Sequence, residues 1–559
     1  MVAILTNEQV KWLQNNVDKE EYDQLHEGAS PTRDEAFSIE VYQRRLWNLQ
    51  GKMQENGIDI ALLVSPEAQC WLHGYKARWY RAETSTEWPP CNFTAVYAPS
   101  ITERPSISYD DQLTTGQRIM LEETWSNNLL VFDSSDHERL LELTSSVSRS
   151  QFRYFDLPDK NANPDDADTS LKGVCGFVLN VLKEEKWIES RITDQWPEIE
   201  TKILGLELCS HRQNVAVTDS LREAIGSYKI KIKEGKEEGD REKYISGMLR
   251  GLQTIKEPAE LKWIRDAGKI LDAAYKHLME DELRWKRTET SLPTLQVGLV
   301  PEMTELQVWA EMEWAMAQLG GESAGLHNTV SKSRSYCHAL SSTRRIGDGA
   351  LLLDPSGVKH RYHANTARTF YVGDKAPPLA LIKASLIAGG AIEILKEKCK
   401  EILLYNEKNT IPKTFADLNQ ELLKYYKSFK IKNDADVTIW DRRDWIGGYQ
   451  LGISFPPDWV GEFSWNVVTA EAADKDQIFE HLSVEDDKKI VPGLVTNFES
   501  FIGGYGFIDT IIFKDDGIEV VSQHSQTLYL VHLERHTTFA DVENYQVFAE
   551  TYPLGKPNS

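Results

Sequence analysis

Three times in its second half the chain interrupts an apolar run with a single acid. Asp354 closes ALLLD, Glu499 sits inside VPGLVTNFESF, and Asp509 sits inside GYGFIDTIIF. Runs this short and apolar read as buried strands, and a carboxylate placed in one is costly unless it meets a partner. Such a chain must bring strands together so that these acids find hydrogen-bond donors, cations or a cavity. Asp354 is followed by Pro-Ser-Gly, so it either caps that turn or faces a pocket. Eleven residues on, YHANTARTF alternates Tyr362, Ala364 and Thr366 with His363, Asn365 and Ala367. If the two segments are neighbouring strands, Asp354 and Asn365 face one cavity.

The rest of the chain supplies a scaffold of matching size. Its 559 residues allow about three domains, or two large ones with additions. IEVYQRRLWNLQGKMQENG has helical period and ends on Gly57, and the apolar run IDIALLVSP follows as a buried strand. GVCGFVLNVLKEEKW reads as a helix, TKILGLEL as a strand, and TDSLREAIGS as a helix capped at Thr218 and Asp219. The charged stretch KIKIKEGKEEGDREKYIS marks a junction. Beyond it, TIKEPAELKWIRDAGKILDAAYKHLM places Ile264, Ala267, Ile270, Leu271 and Ala274 on one helical face. A second long helix, TELQVWAEMEWAMAQLG, precedes the ALLLD strand, and HRYHANTARTFYVG reads as an edge-like strand. Helices over 379–403 and 414–428 follow, then strands from Trp440 to Leu533. One helix-and-strand domain followed by a larger one indicates an α+β chain.

Composition narrows the function. With 63 Lys and Arg against 86 Asp and Glu the formal net charge is -23, which disfavours nucleic acid as a partner. No apolar stretch approaches the ~20 residues of a membrane span; the best, Ala376–Leu395, contains Pro377, Pro378, Lys383 and Glu393. The six cysteines are scattered without a C-x-x-C pair, and the N-terminus lacks a secretory pattern. These features predict a cytoplasmic protein.

Four segments, KEPAELKWIRDAGKI, SYCHALSSTRRIGDGALLLDPSG, RYHANTARTFYVG and PGLVTNFESF, resemble in order and spacing the creatinase/aminopeptidase P superfamily of pita-bread folds. GYQLGISFPPDWVGE, at Gly448–Glu462, is similar to a motif of ectoine hydrolases. The chain reads as a helical appendage over 1–37 and a tail over 541–559, and the resemblance implies a creatinase-like N-terminal α/β domain over 38–250 and a pita-bread domain over 251–540. Insertions near 156–175 and 469–489 lie outside the family pattern, where they would act as lids or reshape specificity.

Metal-dependent members of that superfamily hold two divalent ions with two Asp, one His and two Glu. The corresponding positions here are Asp354, Asn365, Tyr449, Glu499 and either Ile508 or Asp509. The resemblance therefore implies neither metal nor cofactor, and C–N bond hydrolysis on a small nitrogen-rich molecule. It assigns Asp354 as nucleophile or anchor, His338 as proton shuttle, Tyr449 as hydrogen-bond donor and Glu499 as the group orienting a cationic substrate. Tyr362, His363, Asn365, Asp458 and Asp509 are implied in substrate binding. Arg368 is implied there too, although a brace for the Glu499 carboxylate is its expected part. Strand alternation leaves the direction of His363 open. Ala367 stands where creatinase has a catalytic Glu, and Asn365 where ectoine hydrolases have Cys. A cyclase or isomerase, a non-catalytic binding protein and a metal-dependent Xaa-Pro peptidase are the alternatives. By the same analogy the chain forms a homodimer.

Overall fold

The computed structural model describes residues 35–76, 92–102, 104–109, 112–134, 137–155, 171–190, 201–207, 215–233, 244–280, 298–323, 329–331, 341–373, 377–432, 434–453, 464–470 and 488–531. His338, Asp458 and most of both expected insertions lie outside these residues.

The N-terminal unit opens with α1 (Ile39–Glu55), whose Tyr42, Leu46, Leu49 and Met53 recur at helical spacing and are buried. Gly57, at φ 64°, turns the chain out of it. Next come β1 (Ile60–Leu63), α2 (Pro66–His73), β2 (Phe93–Tyr97), α3 (Thr115–Asn127), β3 (Leu129–Ser134), α4 (Glu138–Thr144), β4 (Phe152–Phe155), α5 (Leu171–Glu184), β5 (Lys202–Leu206), α6 (Val215–Ala224) and β6 (Ile230–Ile232). The strands form one sheet in the order β4-β3-β2-β1-β5-β6. β1 explains the unbroken apolar run: Ile60 and Leu62 enter one core while Ala61 and Leu63 enter another. A strand covered on both faces has no need of polar alternation. The expected cap at Thr218–Asp219 is corrected, because α6 already begins at Val215 and both residues lie inside it.

The chain then continues through α7 (Ile245–Thr254), α8 (Pro258–Glu280), α9 (Glu305–Gln318), β7 (Thr329–Ser331), β8 (Gly349–Asp354), β9 (Ser356–Lys359), β10 (Tyr362–Asn365) and β11 (Arg368–Val372). After these come α10 (Leu379–Lys408), α11 (Phe415–Lys427), β12 (Lys430–Ile431), β13 (Asp434–Thr438), β14 (Arg443–Tyr449), β15 (Ser464–Asn466), β16 (Val495–Ile502), β17 (Tyr505–Lys514), β18 (Gly517–Val520) and β19 (Tyr529–Val531). Two larger sheets result, β19-β11-β8-β7 and β15-β14-β16-β17-β18, with β9 and β10 forming a separate hairpin. A bridge between Ala367 and Ile508 joins the two larger sheets. β11 is central and fully buried rather than edge-like, since β8 and β19 both pair with it.

α8 buries the face read from its periodicity, with Ile264, Ala267, Leu271 and Ala274 all shielded. It crosses the hairpin closely at Gly357, where a Cβ would lie 2.1 Å from the Ala267 carbonyl oxygen. One apolar core runs across both halves, since Leu46, Trp71 and Val131 pack in the same cluster as Tyr362, Tyr449, Leu451 and Ile512. No helix among the described residues is long and apolar enough to cross a membrane.

Candidate functional site

Three buried leucines carry β8 to Asp354, where the strand ends. The β9–β10 hairpin then folds the chain back, pairing Asn365 with Ser356. This return explains the eleven-residue spacing, and it places the Asn365 Nδ2 2.9 Å from Asp354 Oδ1, to which it donates. The same amide lies 3.3 Å from the Pro355 carbonyl and 3.4 Å from Ser356 Oγ. The Asn365 backbone N–H donates to Thr510 Oγ1 at 2.8 Å, and that hydroxyl donates back to the Asn365 carbonyl at 2.9 Å. Asn365 is 3% exposed and its Oδ1 is buried without a hydrogen-bond partner. That oxygen has the capacity to accept a hydrogen bond from a ligand or a water.

Glu499 lies mid-strand in β16, opposite Gly447 of β14 and Ile508 of β17. Asn497 donates from Nδ2 to Glu499 Oε1 at 2.9 Å, while its Oδ1 accepts the Tyr449 backbone N–H at 2.7 Å. Asn497 thereby ties β14 to the carboxylate. Residues directly opposite in a ladder share a face, so the position that looks across at Glu499 is Ile508. Leu352, Ala367, Phe501 and Ile508 make a small apolar cluster of their own. Leu352, Ala367 and Phe501 each lie two residues from Asp354, Asn365 and Glu499, which puts them on the same side. The site is therefore polar at one end and apolar at the other.

Several residues expected at the site are placed elsewhere. Asp509 points to the opposite face from Ile508 and pairs with Arg368 at 2.8 Å, both fully buried. Gln526 adds a donor at 2.6 Å to the other Asp509 oxygen. Arg368 thus braces Asp509 and not Glu499. It also donates to the carbonyls of Ala367 and Ile508, each at 2.8 Å, and so fixes the backbone where the sheets meet. Tyr362 alternates away from Asn365 and gives its hydroxyl to Glu260 at 2.7 Å, in the core between the two halves. Burial, and next the Glu260 carboxylate, push its phenol well above the usual range.

His363 shares its strand face with Asn365 and is fully buried, with Nδ1 3.3 Å from the Gly452 carbonyl. Burial, then the Arg361 guanidinium, hold its imidazole well below the usual range, so it is neutral at pH 7. Lys256 stands beside the same glycine: a Cβ on Gly452 would lie 2.7 Å from Lys256 Cε. The ammonium donates to the Gln253 carbonyl at 2.7 Å, and burial brings its pKa down to about 7. Tyr449 packs its ring in the shared apolar core. Asn497, Thr510 and Ser356 were not found by sequence reasoning. The signal for Asn497 was there in its position two residues before Glu499, on the same strand face.

Residues 262–404 match the model of metallopeptidase family M24. That stretch is similar to the M24 family. Over 506 residues it is 21% identical to ectoine hydrolase of Halomonas elongata, spanning 88% of this chain and 98% of that protein. It is also 26% identical over 213 residues to an uncharacterized peptidase of Methanocaldococcus jannaschii, covering 35% of this chain and 56% of that one. Among solved structures, X-Pro aminopeptidase from Thermotoga maritima superposes with a TM-score of 0.53 at 13% identity, covering 88% of this chain and 99% of that one. Xaa-Pro dipeptidase from Bacillus anthracis gives 0.51 at 15%, over 88% of this chain and 100% of that one. The architecture is thus the pita-bread fold, with an N-terminal domain before the M24-like domain.

Likeness to a metallopeptidase family implies divalent ions, and the residues expected at that family's ligand positions do not fit them. An N–H donor, Asn365 Nδ2, is aimed at Asp354 where a second carboxylate is needed. A hydrocarbon side chain, Ile508, faces Glu499. Two carboxylates with a phenol and an amide cannot neutralise two divalent cations. Among the described residues no group of three or more His, Cys, Asp or Glu is placed to hold one.

Proposed function

We propose that this M24-like domain works without a metal, as a hydrolase acting on a C–N bond of a small, nitrogen-rich and cationic molecule. The observation that carries the reading is the Asp354–Asn365 pair: a carboxylate held in place by an amide whose own oxygen lacks a donor. A protonated amidine or guanidine supplies N–H donors to that oxygen and positive charge to Asp354 and Glu499. The likeness to ectoine hydrolase across nearly the whole of both chains supports a non-peptide substrate.

In this reading Asp354 attacks the electron-poor carbon between the nitrogens, or anchors the cation while water attacks. His338 delivers a proton to the departing nitrogen and then takes one from water. Net, one water is added: carbon gains the hydroxyl, nitrogen gains the hydrogen, and the C–N bond breaks. Asn497 orients the Glu499 carboxylate by donating to it at 2.9 Å. The working unit is read as a homodimer with a small-molecule substrate.

The test is a turnover screen of cyclic amidines, guanidines and lactams, read by mass spectrometry as gain of one water, on protein purified without chelators. Asp354→Asn and His338→Ala are each expected to lower turnover at least about 100-fold, the range of one positioned acid–base group. Full activity in both variants refutes the assignment. A second reading, a binding protein without turnover, is favoured by one observation: both carboxylates are already engaged by side-chain amides, Asn365 on Asp354 and Asn497 on Glu499. Thermal stabilisation by the same compounds without product would select it.

A further inference from the structure

The β9–β10 hairpin pairs only with itself among the described strands, yet one end of it carries Asn365. Its other end is a two-residue turn in which His360 and Arg361 both have positive φ, 47° and 65°. Two-residue hairpin turns of this geometry favour Asn-Gly or Gly-Gly, and a non-glycine residue held there stores strain that its surroundings must offset. Those surroundings are visible. Glu322, just beyond α9, accepts the Arg361 backbone N–H at 3.0 Å and lies 3.7 Å from the Arg361 guanidinium. Arg361 Nη1 donates to the Ser323 carbonyl at 2.9 Å. The His360 ring packs against Trp263 of α8, with centroids 4.3 Å apart.

The other oxygen of Glu322 accepts Lys76 Nζ at 2.9 Å, and Lys76 belongs to the N-terminal unit, three residues beyond α2. Both side chains are mostly shielded, at 18% and 25% exposure. Burial alone would raise the Glu322 carboxyl, and Lys76 and then Arg361 hold it below the usual range, so it is ionised at neutral pH. Further along the hairpin, the Tyr362–Glu260 bond meets Arg45 of α1, whose Nη2 is 3.5 Å from Glu260. At its turn end the hairpin is therefore tied through Glu322 to Lys76 of the N-terminal unit, and through Tyr362 and Glu260 to Arg45 of α1.

We infer that Glu322 is a positioning residue that couples the seating of the N-terminal unit, through Lys76, to the β9–β10 hairpin and hence to Asn365. The carboxylate holds a strained turn in shape from one side while the N-terminal unit holds the carboxylate from the other. Coupling of this kind is reciprocal: whatever tightens Asn365 on Asp354 also seats the N-terminal unit. The meaning for substrate rests on the proposed site, but the coupling itself does not. It is therefore tested on the hairpin directly, without any substrate.

The experiment is hydrogen exchange of the full chain, wild type against Lys76→Met, followed in peptides covering 356–367. Lys76 Nζ donates to Glu322 and its backbone N–H to Thr144 Oγ1, so a purely local role would leave the hairpin segment alone. Exchange there is expected to rise at least threefold in Lys76→Met, with β8 and the N-terminal sheet unchanged, and to return to the wild-type rate in Lys76→Arg. Lys202→Met is the control, since it removes a pair of like length and exposure, Lys202–Asp59 at 3.0 Å, inside the N-terminal sheet. Unchanged hairpin exchange in Lys76→Met overturns the inference, as does a rise no larger than that of Lys202→Met. Glu322→Gln, which keeps an acceptor but loses the charge, is expected to exceed Lys76→Met; a smaller effect also overturns it.

Discussion

Lys256 is 5% exposed, and the cationic form of a buried amine is penalised by lost hydration. Its pKa is lowered from 10.5 to about 7, chiefly by burial, against the favourable pull of Glu260. The unfolded chain therefore binds this proton more tightly than the folded one, so stability rises with pH between the two values. The penalty is present in full below pH 7 and disappears as pH climbs toward 10.5. Each pH unit in that window is worth about 1.4 kcal/mol, and about 5 kcal/mol is the upper bound for the whole. Lys256→Met fills a similar volume without the charge, and gives up the donor to the Gln253 and Thr254 carbonyls, at 2.7 and 3.4 Å. Losing those bonds costs about 1–2 kcal/mol at any pH. The variant should thus be more stable than wild type at pH 6.5 and less stable at pH 10. Guanidinium unfolding of both proteins at half-unit pH steps measures the difference. A difference that stays flat within about 0.5 kcal/mol across that range, or that moves the other way, refutes the account of Lys256 as a cation penalised by its burial.

Arg368→Met should cost about 3–5 kcal/mol, because it strands the Asp509 carboxylate and releases the Ala367 and Ile508 carbonyls; chemical unfolding reads it. Asn365→Asp replaces the donor 2.9 Å from Asp354 with a second carboxylate. One of the two must then be raised in pKa, so the variant loses about 1–3 kcal/mol as pH rises above about 4.5 and approaches wild type below it. Unfolding at pH 4 and pH 7.5 separates these states.

The elements of the fold were legible wherever period and burial agree. β1 reads as a continuous apolar run because both of its faces are covered, and α8 shows its buried stripe at the spacing of a helix. Asp354 and Asn365 do come together, although not as the expected neighbouring strands: β8 pairs with β11 and β7, and it is the β9–β10 hairpin that returns Asn365 to Asp354. What escaped depends on register between strands far apart in the chain. Ile508 and Asp509 are adjacent in sequence and both fit the last ligand position of the family; only the pairing of Ile508 with Glu499 separates them. The same register sends Asp509 to Arg368, a pairing across 141 positions that no local pattern encodes. Tyr362 looked like a site residue by its neighbours, yet alternation turned it toward Glu260. Thr218 and Asp219 have the composition of a cap, but α6 gains a further turn from Val215 onward.

The claim on which the rest depends is that the family's metal positions here form a site for an organic cation. Isothermal titration of Mn²⁺ into the full chain, stripped of adventitious ions, tests it most directly. No saturable binding tighter than about 1 mM is expected, given an amide at Asn365 and a hydrocarbon at Ile508. Saturable binding of two ions per chain, lost in Asp354→Asn, would contradict it.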